Sequence, residues 1–297
     1  GPPDLGYWYD VLDYTCARMV SFGNITVLPG TVVGFRNEYA PEYGIWTWWG
    51  IDLREGSTFT SHGTPFKPNV FTDVQFVQEQ VTAPCISSFL LDFWPMDETA
   101  TPPTLDFRFS DFYASPEWYH FWGGYDEGFF GLAPTPDSLV HWRLRDCNIS
   151  GGRINLGNPD DGSYFGAPWN YVYGQGSIVW FNNTFNQVSI NLDPTYYWWD
   201  LTTVNCDMQV QAHNNLFREG TWLHLSPAPA TAGNWDFKDN LFDKVSFFQE
   251  IAAPLDFDYN AYWRLTQSEL DWLYGWGPWW AWPANAAQLQ ATIPGDD

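Results

Sequence analysis

The pentapeptide Asn158-Pro159-Asp160-Asp161-Gly162 sets two carboxylates side by side, a few residues beyond Arg153. Such a pair can do acid–base work when its surroundings split the two pKa values, so that one carboxyl donates a proton while the other stays ionised. The same oxygens are hard ligands, and Ca2+ is the ion that Asp160 and Asp161 would hold. Against both stands turn chemistry, because Asn, Pro, Asp and Gly are the residues that a solvated turn selects. The turn is the expectation; a calcium site ranks second and catalysis last, and no other cofactor is indicated. The 5 histidines (His62, His120, His141, His213, His224) fall in no H-x-H or HExxH spacing. No GxSxG, P-loop or GxGxxG word occurs.

Tryptophan is the second candidate for chemistry. The chain holds 20, with clusters at Trp46, Trp48 and Trp49, at Trp198 and Trp199, and at Trp272, Trp276, Trp279, Trp280 and Trp282. Exposed indole faces stack on sugar rings and anchor protein interfaces, whereas buried ones fill cores. Neighbours such as Trp198 and Trp199 point to opposite faces of a strand, so one of each pair can meet solvent. Packing is the expectation for most of them. A subunit interface and a glycan platform are the alternatives for Trp198, Trp199 and the group from Trp272 to Trp282.

Charge narrows the partners. There are 35 acidic and 12 basic residues, a formal net charge of −23, and the only lysines are Lys67, Lys238 and Lys244. A nucleic-acid groove needs clustered cations, and an anionic membrane surface needs a polybasic face, so neither is expected. No apolar run is long enough to span a bilayer. Aromatics at 20% exclude a disordered chain. The opening GPPDLG, without Met, reads as a processed mature end or an expression scar, and the expected location is secreted or cell-surface. Cys16, Cys85, Cys147 and Cys206 allow three pairings, and their spacing chooses none.

What positions these residues is a repeat. The words Asp146-Cys147-Asn148-Ile149, Asn182-Asn183-Thr184-Phe185, Asn214-Asn215-Leu216-Phe217 and Asp239-Asn240-Leu241-Phe242 recur, and Asn260-Ala261-Tyr262 closes the series. Their last residues are spaced by 36, 32, 25 and 20 positions. Repeats of stacked helix pairs keep a nearly fixed length, whereas β coils tolerate insertions at a corner. Alternating runs accompany the words, as in Arg153–Leu156, Val188–Leu192 and Thr221–Leu225. Residues 24–35, 48–63 and 69–80 also read as short strands, residues 92–103 as a loop, and residues 266–275 as the best helical piece.

Stacking equivalent positions about 4.8 Å apart gives the word a physical sense. An amide at a tight bend adopts the left-handed conformation and hydrogen-bonds its neighbours above and below. The expected ladder is Asp146, Asn182, Asn214, Asp239 and Asn260, with Ile149, Phe185, Phe217, Phe242 and Tyr262 piled inside. The expected fold is all-β, a right-handed parallel β-helix over residues 1–263, followed by a Trp-rich cap or docking segment at 264–297. Of the three Asn-x-Ser/Thr words, at Asn24, Asn148 and Asn182, the last belongs to the ladder.

The phrases GSTFTSHGTPFKPNVFTDVQFVQEQ (56–80), LDFRFSDFYASPEWYHFWGG (105–124) and FDYNAYWRLT (257–266), with the NNxF words, carry a resemblance. The chain resembles the N-terminal β-helix region of large secreted bacterial proteins that bear RHS/YD-type repeats. That resemblance implies a parallel β-helix with no established activity. The expected function is a non-catalytic extracellular or cell-surface structural or interaction protein, able to form a homo-oligomer or filament. The alternatives are a polysaccharide lyase or glycoside hydrolase on the same scaffold, or a carbohydrate-binding module that uses tryptophan platforms.

Overall fold

Short runs that alternate β-branched or aromatic residues with polar ones are stable only when their apolar face is covered. In this computed structural model the runs become strands laid side by side, and the protein is nearly all β with parallel sheets. The structure describes residues 12–17, 19–36, 38–40, 45–47, 49–74, 89–94, 101–123, 137–138, 140–157, 172–193, 206–225, 235–249 and 255–263.

A 9-stranded sheet stacks, in chain order, Asn24–Val27, Thr58–His62, Thr104–Arg108, His141–Arg145, Val172–Phe181, Cys206–His213, Trp235–Lys238 and Asp256–Asp258, with Asp137–Ser138 beside the fifth of these. A 15-stranded sheet has two arms. The first arm stacks Tyr14–Cys16, Val32–Phe35, Asn69–Asp73, Ser110–Gly123, Asn148–Gly157, Thr184–Asn186, Leu216–Arg218, Leu241–Asp243 and Ala261–Trp263. The second joins Met19–Ser21, Trp49–Arg54 and Phe89–Trp94 to the far halves of Ser110–Gly123 and Asn148–Gly157, then continues through Ser189–Asp193, Trp222–Leu225 and Ser246–Gln249. Pairing in both sheets is parallel throughout. Among the described residues, antiparallel contacts are confined to Glu38–Ala40 with Ile45–Thr47 and to the Thr64–Lys67 bridge. Parallel neighbours need a return path between them. Here the chain visits the 9-stranded sheet, then the first arm, then the second, and returns.

Because every register is parallel, like stacks on like. Val33, Phe71, Phe112, Ile149, Phe185, Phe217, Phe242 and Tyr262 form one file across the first arm. Phe185 and Phe217 lie 4.8 Å apart at 6°, Phe217 and Phe242 5.0 Å apart at 11°. From the 9-stranded sheet, Phe107, Leu144, Trp180, Ala212, Phe237 and Phe257 make a second file, and Trp180 sits 4.9 Å from Phe185. Trp118, Trp142, Trp180 and Trp235 are buried, so these tryptophans serve as core. Each buried aromatic removes roughly 150–250 Å² from water.

The corners between the 9-stranded sheet and the first arm explain the repeated word, and they divide its labour. Asp146, Asn182, Asn214 and Asp239 have φ of 54°, 60°, 56° and 56°, the left-handed bend. Their side chains face outward, where Asn182 donates to Asp146 and Asn214 donates to Asn182. The second residue of each word does different work. Asn183, Asn215 and Asn240 are buried, and with Asn260 they build an internal file. The Oδ1 of Asn215 accepts from the backbone N of Asn183 at 2.9 Å and from its Nδ2 at 3.0 Å. The Nδ2 of Asn215 donates to Trp180 O at 3.1 Å and to Asn240 Oδ1 at 3.0 Å. Asn240 and Asn260 repeat the pattern one layer on. Both hydrogens and both lone pairs of each central amide are used. The expected single ladder is therefore corrected at Asn260, which belongs to the inner file. Tyr259 makes that bend, at φ 55°.

A second corner, between the arms, also turns left-handed, at Gly151, Gln187, Glu219 and Lys244. A Cβ on Gly151 would lie 2.2 Å from Ala114 O, so glycine is needed there for space as well as for its φ of +66°. Another correction concerns residues 92–103, read as a loop. Residues 92–94 end the strand Phe89–Trp94, held by parallel pairing to Trp49–Arg54, and the neighbouring Pro95 and Pro102 hid that strand from the sequence pattern. The boundary at 263/264, the segment 264–297 and the helical piece 266–275 lie outside the described residues.

Candidate functional site

Alternation along the 9-stranded sheet turns Leu105, Phe107, Trp142, Leu144, Ile178, Trp180, Val210 and Ala212 inward. The residues between them must face out. Parallel register lines these up in rows, one running Asp106, Arg143, Val179, Gln211, Asp236 and the next running Arg108, Arg145, Phe181, His213, Lys238. Rows in a parallel sheet advance about 4.8 Å per strand. Four of the 12 basic residues of an otherwise acidic chain therefore share one outer face: Arg108, Arg143, Arg145 and Lys238.

Carboxylates hold most of these cations in place. Asp146 Oδ2 lies 3.5 Å from Arg108 Nε and 3.4 Å from Arg145 Nε. His62 meets Asp106 at 3.1 Å and His213 meets Asp236 at 2.9 Å. Lys238 bridges Asp256 at 2.8 Å and Asp236 at 3.2 Å, and these hydrogen bonds, to Asp256 first and then Asp236, push its pKa above the ordinary lysine value. Arg143 is exposed and makes no ion pair or hydrogen bond with the described residues. Phe181 is 42% exposed, which is unusual for a phenylalanine in a strand, and the Arg145 guanidinium stands 5.6 Å from its ring centre. Gln209 and Gln211 add exposed amides on the next strand. This face offers hydrogen-bond donors, cations and one flat apolar surface, which is equipment for binding.

The second arm carries a row of a different kind. Asp52, Asn155, Asn191 and His224 occupy one register row and are all buried. Asn191 donates to Asn155 at 2.7 Å. Arg54 contacts Asp52 at 2.5 Å, yet burial outweighs that cation and pushes the Asp52 carboxyl up to about 6. His120, wholly buried beside the core, donates from Nε2 to Gly151 O at 2.9 Å, and burial pulls it down to about 4. Burial likewise pushes the Cys147 thiol up to about 12 and raises that of Cys16, which favours the protonated form at each.

Asp160, Asp161, Trp198, Trp199, Trp272, Trp276, Trp279, Trp280 and Trp282 lie outside the described residues. Among the described residues no three His, Cys, Asp or Glu side chains are grouped to hold a metal ion. No described helix is long and apolar enough to cross a membrane. Compared with family models, with curated proteins and with solved structures, the chain finds no match.

Sequence reasoning passed over the outer strip because its members are spread from Arg108 to Lys238. One signal was there: Arg145, Phe181, His213 and Lys238 each stand immediately before the first residue of a repeated word. Read down the aligned words, that column is polar or aromatic and rich in cations. The inner amides carried a signal too, since after Cys147 the second position of the word is Asn at Asn183, Asn215, Asn240 and Asn260, while the first changes among Asp, Asn and Tyr.

Proposed function

We propose that this chain is a right-handed parallel β-helix that works as a non-catalytic structural and interaction scaffold outside the cell or on its surface. The inner amide file carries the reading. Asn183, Asn215, Asn240 and Asn260 tie four successive passes of the chain together at one corner, with every central donor and acceptor spent on the pass before or the pass after. Right-handedness follows the general rule for parallel crossovers. A structure that commits its buried polar groups to stacking gains rigidity along the stack. The resemblance to the β-helix region of secreted RHS/YD-repeat proteins supports an extracellular setting, and the −23 charge keeps copies apart until salt screens it.

Small-angle scattering with electron microscopy tests the proposal. A stiff rod is expected, growing end to end as salt or Ca2+ rises. A compact particle whose size salt leaves unchanged would refute the scaffold. So would cleavage of pectate, alginate or neutral glucans, which would move the chain to the polysaccharide-degrading alternative.

A further inference from the structure

We propose that the outer face of the 9-stranded sheet around Arg108, Arg143, Arg145, Phe181, Gln211 and His213 is a docking strip for a linear polysaccharide bearing carboxylates. The proposal is independent of the handedness or length of the scaffold, because it stands on the strip alone.

Three observations converge on that ligand. The first is charge. Three arginines on adjoining strands face solvent, and Arg143 has no partner among the described residues to give up. A guanidinium takes a carboxylate through two parallel hydrogen bonds, and it remains charged at any working pH. Asp106, Asp146 and Asp236 subtract from the local charge and leave Arg143 as the cation with no partner among the described residues, but they also hold His62, Arg108, Arg145 and His213 in fixed positions, which lowers the ordering cost of binding. The −23 of the whole chain does not cancel the strip at physiological salt, where exposed charges more than about 8 Å apart are largely screened.

The second is the exposed ring of Phe181. It lies in the same row as Arg108 and Arg145, beside the Arg145 guanidinium. An apolar face next to a cation suits a sugar ring that carries a carboxylate on its rim, the ring stacking while the acid reaches the arginine. The exposed Gln211 amide can both donate to and accept from hydroxyls.

The third is linearity. The cations and the single ring lie along straight rows set by strand register, at about 4.8 Å per step. A polymer of like units presents its acids along a line. A folded acidic protein presents them at scattered points, which a straight row of fixed cations matches poorly.

The test is titration calorimetry of the whole chain with an oligogalacturonate, a neutral glucan of equal length and a polyglutamate peptide, at about 0.15 M and about 1 M salt. Binding of the oligogalacturonate alone is expected, lost at the higher salt. Arg143→Ala and Phe181→Ala, both at exposed positions, should each weaken it by about tenfold or more with an unchanged melting temperature, and Arg143→Lys should recover part of the loss. No binding by the parent chain, binding that both variants retain in full, or equal binding of polyglutamate would each overturn the proposal. None of these outcomes bears on whether the chain is a rod.

Discussion

Replacing Asn215 by Ala isolates the inner amide file. The change removes the acceptor that serves the backbone N and Nδ2 of Asn183, at 2.9 and 3.0 Å, and the donor that serves Trp180 O at 3.1 Å. Asn240 Oδ1 loses one of its two donors and keeps the backbone N of Asn215, at 2.9 Å. Three groups are thus left short of a partner at a position only 2% exposed. An unsatisfied buried group costs about 1–3 kcal/mol, so the variant should lose about 4 kcal/mol, and more if no water enters the gap. Asn214→Ala, one residue earlier, is the control. That side chain is exposed, and the change costs a left-handed alanine at φ 56° and one surface hydrogen bond, about 1 kcal/mol. Urea unfolding followed by tryptophan fluorescence measures both. Losses that agree within 1 kcal/mol would refute the division of labour between the two amides.

Phe217→Ala empties a fully buried site between rings 4.8 and 5.0 Å away, and should cost about 3–5 kcal/mol in the same assay. Gly151→Ala meets Ala114 O and a φ of +66°, so about 3 kcal/mol is expected, whereas Gly220→Ala at φ +87° has open space and should lose only about 1. His120, pulled from 6.5 down to about 4, makes stability fall as pH drops from 6.5 to 4, because the unfolded chain takes up a proton that the fold excludes. Asp52, pushed from 3.8 up to about 6, makes stability fall as pH rises through that window, because the fold retains a proton that the unfolded chain releases. Each effect is worth about 3 kcal/mol, so they oppose each other between pH 4 and 6. Asp52→Asn should therefore gain stability with rising pH, and His120→Gln should lose it, as read by denaturant midpoints at each pH. Slopes of the same sign in both variants would contradict the burial of these two groups.

The all-β, parallel character was legible because alternating runs and a variable repeat leave few other solutions. What each half of the word does was not. An outer bend asks only for a left-handed backbone at the surface, and Asp146, Asn214 and even Tyr259 meet that demand. Between two layers the inner site uses a donor and an acceptor on one side chain, which Asn supplies and Asp does not, while Cys147 ends the file with only its backbone N donating to Asn183 Oδ1. Earlier corners were hidden for the opposite reason: Phe109 makes the same bend at φ 47° without any amide to mark it. The outer strip could not be read at all without register, since only pairing brings Arg108, Arg145 and Phe181 into one row.

The identity of successive layers has a consequence for heredity. Excising residues 183–214 would join Asn182 directly to Asn215. Parallel register would then set Asn215 over Cys147, Phe217 over Ile149 and Leu223 over Ile154, each taking a seat now filled by its counterpart. Loss or duplication of a whole layer leaves the surviving files in register, whereas a gap inside a strand shears every file that strand joins; gaps in the connecting loops are absorbed there, as the unequal repeat lengths of 36, 32, 25 and 20 residues show. The stacked interior therefore changes in steps of one layer, while the length of chain spent on each layer is free to vary in its loops.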